Sequence, residues 1–488
     1  MKMKILASFI ILAMLVVAMS PLRTFASTPN IVLGKSAVTH FDVMPAEVQI
    51  MESGTGTATD LVPFNVDMVD AEKVADKGDG IYVAVLDTGL LSNYLDFFPS
   101  SIVDIKEEWG IGFTHDVWYD PTGEGNWSIE YVDDVEYRFS YGELRDDRGF
   151  ITHDNGAPDQ YGFGWGSGHG THVTSIITGY HLFRSPIDTW VSGVAPKVTI
   201  IPVLVLDDWI QFADDGNGWM WTGGTDEMVA EGIKYIGDLA KAHHVKIIIN
   251  MSLGGSTPTE IIEDAINYAI RKGVIIVASA GNEGEAGMGW PGAYPQVISV
   301  AAAGWTQEYL RYYLGTPDPW YWWIDDVPEN LWTTDPLDNE FQAYLTDFSS
   351  RPNATLGQHI WDLDVAAPGA GVKGPYKGYG SGQWGWYSVW GTSQAAPHVA
   401  GIAALVAENY PRVNQLTMEI CLKIAGLANR MTKLCEKTRS ADVYDIFSGS
   451  VVSYTWTSKD YGTGLLQADE ALCVAKLMFR CTTRLTRH

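Results

Sequence analysis

Three residue types that together perform acyl transfer occur far apart in this sequence. Asp87 follows an apolar run, His169 opens the stretch GHGTHVTSIITG, and Ser393 lies in GTSQAAPHVAG. A serine hydroxyl is a weak nucleophile until a base accepts its proton, and that base needs a third group to fix its tautomer. Aspartate, histidine and serine supply these three functions, so the sequence predicts a nucleophilic triad if the fold brings them together.

Each of these stretches also has a purely structural interpretation. Thr392 or Ser393 is a suitable N-cap for a helix through AAPHVAGIAALVAENY. The stretch DTG, which begins at Asp87, suits an Asx turn, and the stretch GNEG at residues 281–284 suits a loop with positive φ angles. His169 and His172 make a weak metal signature, because no nearby helix supplies a carboxylate. Each structural interpretation is reasonable alone, but their joint occurrence favours chemistry.

Five apolar runs predict the strands that would carry these residues. Apolar character on both faces is typical of parallel strands covered by helices. The runs are residues 81–86, 198–206, 245–250, 273–280 and 296–303. DTG, NMSLGG and GNEG follow the first, third and fourth of them.

Apolar residues at helical spacing lie between these runs. They are Val229, Ile233 and Ile236, and further on Ile262, Ile266, Ala269 and Ile270. Thr257, Pro258 and Glu260 match a capping box with proline at the first helical position. Strands that alternate with helices predict an α/β fold, a doubly wound and mostly parallel sheet flanked by helices, with sites at the carboxyl ends of the strands.

The motifs together resemble the subtilisin-like serine proteases, the subtilases or peptidase S8 family. They are VAVLDTG, GHGTHV, NMSLGG, AGNEG, YPQVISVAA, LDVAAPG, GTSQAAPHVAG and YGTGLLQADEAL, in the family's order. The resemblance covers residues 60–475 and implies a single catalytic domain with loop insertions at about 97–160 and 304–345. It also implies a serine endopeptidase of broad specificity that forms an acyl-enzyme intermediate.

The resemblance assigns a role to each candidate residue. Ser393 matches the nucleophile, His169 the general base and later acid, and Asp87 the carboxylate that orients His169. Asn282 matches the side-chain amide of the oxyanion hole, which acts with the backbone N–H of Ser393. His172 is expected to be structural, as is His398.

Substrate-binding residues follow from the same resemblance. Ser252, Leu253 and Gly254 match the strand that pairs with an extended peptide by main-chain hydrogen bonds, which favours broad specificity. Gly254 and Gly289 match small residues of the primary specificity pocket, and Glu283 matches its rim. A roomy pocket with an acidic rim suits large apolar or basic side chains of protein or peptide substrates. Catalysis needs no cofactor.

Two departures from the family's pattern stand out. Gln394 takes the place of the usual methionine after the serine and, if buried, needs a hydrogen-bond partner. Residues 27–59 are too few for the compact propeptide of many relatives. We expect a short pro-region or an N-terminal extension there.

The whole chain has the composition of an acidic globular protein. Its 488 residues are 46% hydrophobic, and 59 acidic against 32 basic residues give a net charge of −27. This charge argues against nucleic acid or an anionic membrane surface as a partner. We expect a monomer.

The N-terminus predicts export. Lys2 and Lys4 precede an apolar run of about fifteen residues, shorter than a bilayer span, and a small-residue site predicts cleavage near Ala26. Residues 1–26 are therefore predicted to be a signal peptide, with no membrane span left after cleavage and a secreted product. Residues 476–488 are predicted to form a C-terminal tail.

In an exported protein the cysteines are expected to form two disulfides of unknown connectivity among Cys421, Cys435, Cys473 and Cys481.

The two insertions and calcium leave alternatives open. Residues 116–147 are acidic and aromatic, and residues 304–345 are dense in aromatics; each suits an extra subsite or lid as well as a surface decoration. Structural calcium is possible, because Asp96 aligns with a family ligand, yet its partner ligands do not map and the metal ligands stay unknown.

Three other classes of protein are weaker interpretations. An inactive scaffold would have lost a triad residue or the oxyanion amide. A carboxyl-type relative would lack His169. A carbohydrate-binding wall protein would explain the aromatic residues but not the ordered catalytic set.

Overall fold

The structure, a computed structural model, describes most of the chain from residue 61 onwards and two short strands before it. The described residues are 31–33, 37–38, 61–119, 122, 124, 127–132, 135–152, 168–184, 187–212, 218–306, 343–377, 384–428, 439–445, 448–457 and 459–485. The predicted signal peptide and most of residues 27–59 lie outside them. No helix among the described residues is long and apolar enough to cross a membrane.

Strands make up the larger number of elements. In chain order they are β1 (Ile31–Leu33), β2 (Ala37–Val38), β3 (Tyr82–Asp87), β4 (Asp104–Ile105), β5 (Ile111–Thr114), β6 (Val117–Tyr119), β7 (Trp127–Val132), β8 (Val135–Tyr141), β9 (Arg145–Arg148), β10 (Gly179–Arg184), β11 (Ile187–Ser192), β12 (Thr199–Leu204), β13 (Asp207–Phe212), β14 (Gly218–Thr225), β15 (Ile247–Met251), β16 (Ile275–Ser279), β17 (Ile298–Trp305), β18 (Ala343–Leu345), β19 (Val365–Pro368), β20 (Val372–Lys377), β21 (Trp384–Trp390), β22 (Arg439–Asp445) and β23 (Ser450–Trp456). The α-helices are α1 (Phe64–Asp67), α2 (Tyr94–Phe97), α3 (His169–Thr178), α4 (Asp226–His243), α5 (Glu260–Arg271), α6 (Thr392–Asn409), α7 (Gln415–Ala428) and α8 (Ala468–Leu485).

A ten-stranded sheet forms the centre of the fold. Its strand order is β18-β17-β16-β15-β3-β12-β5-β9, with β19 also beside β17 and β4 also beside β12. The pairs are parallel except at the two ends, where β18 and β9 run antiparallel to their neighbours. The five predicted strands are confirmed as β3, β12, β15, β16 and β17, so the α/β fold with a mostly parallel sheet is as expected.

Both faces of this sheet are buried, which explains why its strands are apolar throughout. Val83 and Val85 face a core that includes helix α6, whereas Ala84 and Leu86 face a second core formed with α4 and α5. Alternate residues of one strand therefore enter different cores. The burial of a whole strand fixes its register and holds its carboxyl end, including Asp87, in place.

The start of α5 differs from the prediction. The helix begins at Glu260 with Thr259 as N-cap, and no side chain caps it. The hydroxyl of Tyr294 accepts from the N–H of Thr259 and donates to its C=O, both at 2.8 Å. These bonds hold the backbone at Thr259, so the helix starts after it and Pro258 is not the first helical residue.

Part of the first predicted insertion belongs to the central sheet. Within residues 97–160, strands β4, β5 and β9 extend the sheet beyond β12, while β6, β8 and β7 form a separate antiparallel sheet. Most of the second insertion, residues 307–342, lies outside the described part of the chain. Its ends are held by the antiparallel pairing of Trp305 with Ala343.

The cysteines differ from the expectation of two disulfides. Cys421 and Cys473 are both free thiols. Cys421 is buried on α7, where its thiol lies 3.5 Å from the carbonyl oxygen of Ala471, and burial raises its pKa to about 12. Any pairing of all four cysteines into two bonds would use both of these residues. The prediction of two disulfides is therefore wrong for this structure; Cys435 and the side chain of Cys481 lie outside the described residues.

Candidate active site

Asp87 lies at the carboxyl end of β3, as the sequence predicts. Its backbone oxygen accepts from the N–H groups of Val205 and Leu206, at 2.9 and 3.1 Å, which ties the strand end to the chain after β12. Its fully buried carboxylate accepts at Oδ1 from the N–H of Thr88, at 2.8 Å, and contacts Nδ1 of His169 at 2.7 Å. An ionised carboxylate only accepts, so the proton of the imidazole is on Nδ1 and Nε2 is its basic nitrogen.

The first turn of α3 carries His169 and is fastened to the loop after β3. The N–H of Gly170 donates to the hydroxyl of Thr88 at 3.0 Å, and the hydroxyl of Thr171 accepts from the N–H of Leu91 at 2.9 Å. A Cβ atom at Gly170 would lie 2.2 Å from the carbonyl oxygen of Gly89. Only glycine allows helix and loop this close, so Gly170 explains how His169 reaches Asp87.

Ser393 is the second residue of α6, a helix that contacts α3. The N-cap is Gly391 and no side chain caps the helix, so the capping interpretation of Thr392 and Ser393 is wrong. The Ser393 hydroxyl donates to the carbonyl oxygen of Ser252 at 3.1 Å, and the Ser252 hydroxyl donates to the carbonyl oxygen of Ser393 at 2.7 Å. This reciprocal pair joins the nucleophile candidate to the chain after β15.

Asn282 lies beside the same helix end. Its Oδ1 accepts from the N–H of Thr392 at 2.8 Å and from the Thr392 hydroxyl at 2.9 Å. Because a backbone N–H only donates, Oδ1 must face Thr392, and Nδ2 is on the opposite side of the amide. The hydroxyl of Thr392 accepts in turn from the N–H of Gly281 at 3.1 Å, which fixes its rotamer.

Two glycines leave room next to these groups. A Cβ atom built on Gly254 meets nothing closer than the carbonyl oxygen of Trp290 at 3.5 Å, and one on Gly289 meets nothing closer than that of Gly255 at 3.4 Å. Gly255 and Trp290 join the two segments by backbone hydrogen bonds of 2.7 and 2.9 Å. The predicted pocket residues are therefore adjacent: a Cβ atom on Gly254 would lie 4.0 Å from the Cα of Gly289, and one on Gly289 would lie 3.9 Å from the Cα of Gly254, both at ordinary van der Waals distance.

Two other predicted substrate-binding residues, Leu253 of the peptide-pairing strand and Glu283 of the pocket rim, differ in their exposure to solvent. Leu253 is buried, whereas Glu283 is exposed. The Glu283 carboxylate accepts at Oε2 from the N–H of Asn282 at 2.7 Å and from the hydroxyl of Ser350 at 3.1 Å. The Glu283 carboxylate is thus bonded within its own loop. A Cβ atom built on Gly281 would be close both to this carboxylate and to the backbone nitrogen of Gly289, so the loop places Glu283 next to Gly289.

His172 and His398 are buried structural residues. Nε2 of His172 donates to the carbonyl oxygen of Val372 at 3.1 Å. Nδ1 of His398 donates to the carbonyl oxygen of Gln394 at 2.8 Å, and Nε2 accepts from the Asn65 amide at 2.9 Å. Burial lowers the pKa of each imidazole to about 3, so both are neutral at ordinary pH.

The described residues do not form a carboxylate cage for calcium. Asp96 accepts from the Asn93 amide at 3.3 Å on the surface. No three side chains of histidine, cysteine, aspartate or glutamate converge in the described part of the chain. Asp96 alone does not fit a metal site.

The assembled groups supply each part of an acyl transfer. A hydroxyl lies at a helix start, an imidazole has a fixed tautomer, a buried carboxylate holds it, and an oriented amide lies nearby. Sequence reasoning missed Thr392, which orients Asn282. Its position next to Ser393 was the available signal, but a cap explained it equally well.

Comparisons with known proteins show the family of the chain. Residues 78–433 match the model of the subtilase family. The chain is similar to a subtilisin of Bacillus sp. (strain TA39), 32% identical over 51% of this chain and 48% of the relative. It is also similar to alkaline elastase YaB of Bacillus sp. (strain YaB), 26% identical over 82% of this chain and 74% of the relative.

Further similarities extend to a thermitase and to a solved structure. Thermitase of Thermoactinomyces vulgaris is 32% identical over 50% of this chain and 62% of the relative. The solved structure of Sphericase is 22% identical over 84% of this chain and 99% of its own, with a TM-score of 0.48. The match spans about half the length of the subtilisin named above. Because the family model matches well over half of the sequence, the chain belongs to the subtilase family.

Proposed function

We propose that this protein is a secreted serine endopeptidase that uses Asp87, His169 and Ser393 as its catalytic triad. One observation carries the proposal: two buried side chains from β3 and α3 form a 2.7 Å hydrogen bond, and α3 contacts the helix whose second residue is Ser393. A buried aspartate and histidine paired in this way leave a basic Nε2. Membership of the subtilase family supports the same activity.

The reaction begins when the Ser393 hydroxyl turns from the carbonyl of Ser252 towards Nε2 of His169. His169 takes the proton while Oγ attacks the carbonyl carbon of the substrate. It then gives the proton to the leaving amine, and water, activated by the same imidazole, hydrolyses the acyl-enzyme. Asp87 stabilises the imidazolium that forms twice in this cycle.

The amide of Asn282 and the N–H of Ser393 would bind the oxyanion. The support for this is the orientation of the amide, because Thr392 holds Oδ1 and directs Nδ2 away. A donor that is already oriented needs no reorganisation when negative charge develops on the substrate oxygen.

Substrate would bind as an extended peptide along Ser252, Leu253 and Gly254. Main-chain hydrogen bonds give affinity without reading side chains, so specificity would be broad. The lack of side chains at Gly254 and Gly289 suits a large side chain of the substrate, and exposed Glu283 favours an apolar or basic one. Cleavage of a peptide library tests this; strict preference for small or acidic residues would overturn it.

The remaining expectations are also proposals. Residues 60–475 would form the catalytic domain, in a monomer released after the cut near Ala26. The predicted tail of residues 476–488 begins inside helix α8, whose Met478 is buried in the core, so the domain would extend beyond residue 475. A structural calcium ion is tested by thermal unfolding with and without chelator; an unchanged midpoint would exclude it.

A serine-directed phosphonate reagent tests the activity itself. The wild-type protein should lose peptidase activity as it gains one adduct, and digestion should place that adduct on Ser393. The Ser393→Ala variant should gain none, and a Ser388→Ala variant is the matched control that should still react. Peptidase activity that persists in Ser393→Ala would overturn the proposal.

A further inference from the structure

The loop that carries both Asn282 and Gly289 is rich in glycine. This pocket loop, residues 281–289, has positive φ angles of 106°, 58° and 132° at Gly281, Gly284 and Gly287. Glycine has the largest backbone freedom of all residues, so a loop of this composition loses much conformational entropy when it becomes ordered. A single conformation of the pocket loop therefore depends on bonds to other parts of the chain.

Backbone hydrogen bonds hold the first half of the pocket loop. The N–H of Gly284 donates to the carbonyl oxygen of Phe348, and the carbonyl oxygen of Gly284 accepts from the N–H of Arg351, both at 2.9 Å. Asn282 lies two residues before Gly284. The part of the loop that carries the proposed oxyanion donor is thus fixed by main-chain groups.

A side chain, Gln358, holds the second half of the pocket loop. Its Oε1 accepts from the N–H of Met288 at 2.8 Å, and its Nε2 donates to the carbonyl oxygen of Met288 at 2.7 Å. Oε1 also accepts from the N–H of Asn353 at 3.0 Å. One amide thus bonds both backbone groups of Met288, as a residue of a neighbouring strand would. Gln358 is 4% exposed and Met288 is 2% exposed, so these bonds are shielded from water.

The backbone is consequently held on both sides of Gly289. Trp290, which follows it, exchanges two backbone hydrogen bonds with Gly255. Met288, which precedes it, exchanges two with the amide of Gln358. The bonds before Gly289 are the ones that a change of side chain can remove.

We propose that Gln358 is a positioning residue for the specificity pocket, where it holds Met288 and thereby Gly289 in place. A Cβ atom on Gly289 would lie 3.9 Å from the Cα of Gly254, so movement of this backbone changes the width of the pocket. Gln358 sets which substrate side chains are accepted and takes no part in the chemical step. The inference rests on the proposed function, whose selectivity it explains.

Gln415 provides a matched control elsewhere in the fold. It is also 4% exposed, and its amide accepts from the N–H of Ile276 at 2.7 Å and donates to the carbonyl oxygen of Ile276 at 3.1 Å. It makes a third backbone bond, to the carbonyl oxygen of Gln296 at 2.9 Å. Ile276 is the second residue of β16, whereas the pocket loop follows the carboxyl end of that strand. Loss of the Gln415 amide therefore removes bonds of the same kind away from the pocket.

Two chromogenic peptides that differ only in the residue before the scissile bond, phenylalanine or alanine, measure the selectivity. The ratio of their kcat/KM values does not depend on the fraction of enzyme that is folded. Gln358→Met keeps a similar volume but removes the hydrogen bonds. The ratio of phenylalanine to alanine should therefore fall about tenfold, the factor that corresponds to the loss of about one ordinary hydrogen bond.

The division between kcat and KM separates positioning from a loss of catalytic order. In Gln358→Met the KM of the phenylalanine peptide should rise while its kcat stays at the wild-type value, because Asn282 is held by other bonds. Gln415→Met should keep the wild-type ratio. An unchanged ratio in Gln358→Met would overturn the inference, and so would an equal fall in Gln415→Met, because the effect would then be a general loosening of the fold.

A second variant serves if Gln358→Met does not fold. Gln358→Glu keeps the acceptor oxygen, but an ionised carboxylate cannot donate to the carbonyl oxygen of Met288. The selectivity ratio should be lowered at alkaline pH and should recover as the pH falls, since a protonated carboxyl group donates again. The protonation of His169 affects both peptides equally and cancels in the ratio.

The outcomes distinguish the inference from the function on which it rests. A Gln358→Glu ratio equal to that of the wild type at every pH would overturn the inference. A wild type that hydrolyses both peptides, with the same ratio in every Gln358 variant, would overturn the inference alone. A wild type that hydrolyses neither peptide would overturn the proposed function.

Discussion

At the scale of residues, the site is ordered by groups that have only one hydrogen-bonding role. The carboxylate of Asp87 accepts, so it fixes the proton of His169 on Nδ1. The N–H of Thr392 donates, so it fixes the amide orientation of Asn282. The motifs predicted that Asp87 and His169 would meet, and they do. The role of Thr392 depends on a contact between distant segments, and its position next to Ser393 could not distinguish that role from a helix cap.

Removal of the Asn282 amide should slow the chemical step. We expect Asn282→Ala to lower kcat by about 10²–10³, the loss measured for such a donor in the related enzyme subtilisin, with little change in KM. The reason is that the amide would contact the oxyanion and not the bound ground state. Steady-state kinetics on a chromogenic peptide measure both constants.

Thr392→Val is the matched control for this variant. It removes the hydroxyl bond to Oδ1 but keeps the N–H bond, so kcat should fall less than in Asn282→Ala. A rise in KM with unchanged kcat in Asn282→Ala would show that the residue binds substrate and does not stabilise the oxyanion.

Gln394 is a polar residue that is buried next to the nucleophile candidate. Its side chain is completely buried, and among the described residues neither amide atom has a hydrogen-bond partner. A buried polar group without a partner costs about 1–3 kcal/mol. Gln394→Met should therefore raise the free energy of unfolding by about that amount, measured by urea denaturation in the Ser393→Ala background to prevent self-digestion. Equal or lower stability would mean that the amide is satisfied.

At the scale of elements, strands buried on both faces were predictable because their apolar runs are continuous. Strand β15 and the strand β3 beside it are examples: the predicted runs 245–250 and 81–86 became Ile247–Met251 and Tyr82–Asp87. Strands such as β1 and β18 were not predicted, since their partners are far away in the sequence. The start of α5 was misplaced because a tertiary contact from Tyr294 decides it.

The second insertion should be removable without loss of the fold. Trp305 and Ala343 are opposite each other in β17 and β18, so the segment between them leaves and returns at adjacent points. Replacement of residues 307–342 by a short Asn-Gly turn should change stability by no more than about 2 kcal/mol, since each doubling of loop length costs only about 0.6 kcal/mol of closure entropy. Trp305 must be kept because it is buried in the core.

Peptide turnover by this shortened variant decides what the insertion does. Unchanged kcat and KM would reject a subsite role and favour a surface decoration. Raised KM for long peptides with normal turnover of short ones would indicate an additional subsite. Loss of folding would contradict the pairing from which the design follows.

At the scale of the whole molecule, buried neutral histidines should make the fold sensitive to acid. The pKa of His398 is lowered to about 3 by burial, against about 6.5 in the unfolded chain. The unfolded state therefore binds the extra proton, so stability is present above pH 6.5 and is lost towards pH 3. The loss is about 1.4 kcal/mol per pH unit for each such histidine.

Urea denaturation at pH 7, 6 and 5 measures this dependence in the Ser393→Ala background. His398→Gln should reduce the loss between pH 6 and 5 by about 1.4 kcal/mol. Glu419→Gln is a control whose effect on the pH dependence of stability should have the opposite sign. Burial raises the pKa of Glu419 to about 7, so its carboxyl group favours the folded state less as pH rises from 4.5 to 7. An identical pH slope in His398→Gln and its parent would contradict the assignment.

Side chains from β3, α3 and α6 are proposed to act as one catalytic unit. The most direct test is kcat for Ser393→Ala, His169→Ala and the double variant on one peptide substrate. Residues that act as a unit are not additive, so we predict that each single change lowers kcat by about 10⁴–10⁶ and that the double change lowers it no further. If the two residues contributed independently, the two losses in kcat would multiply in the double variant. That result would contradict a single catalytic unit.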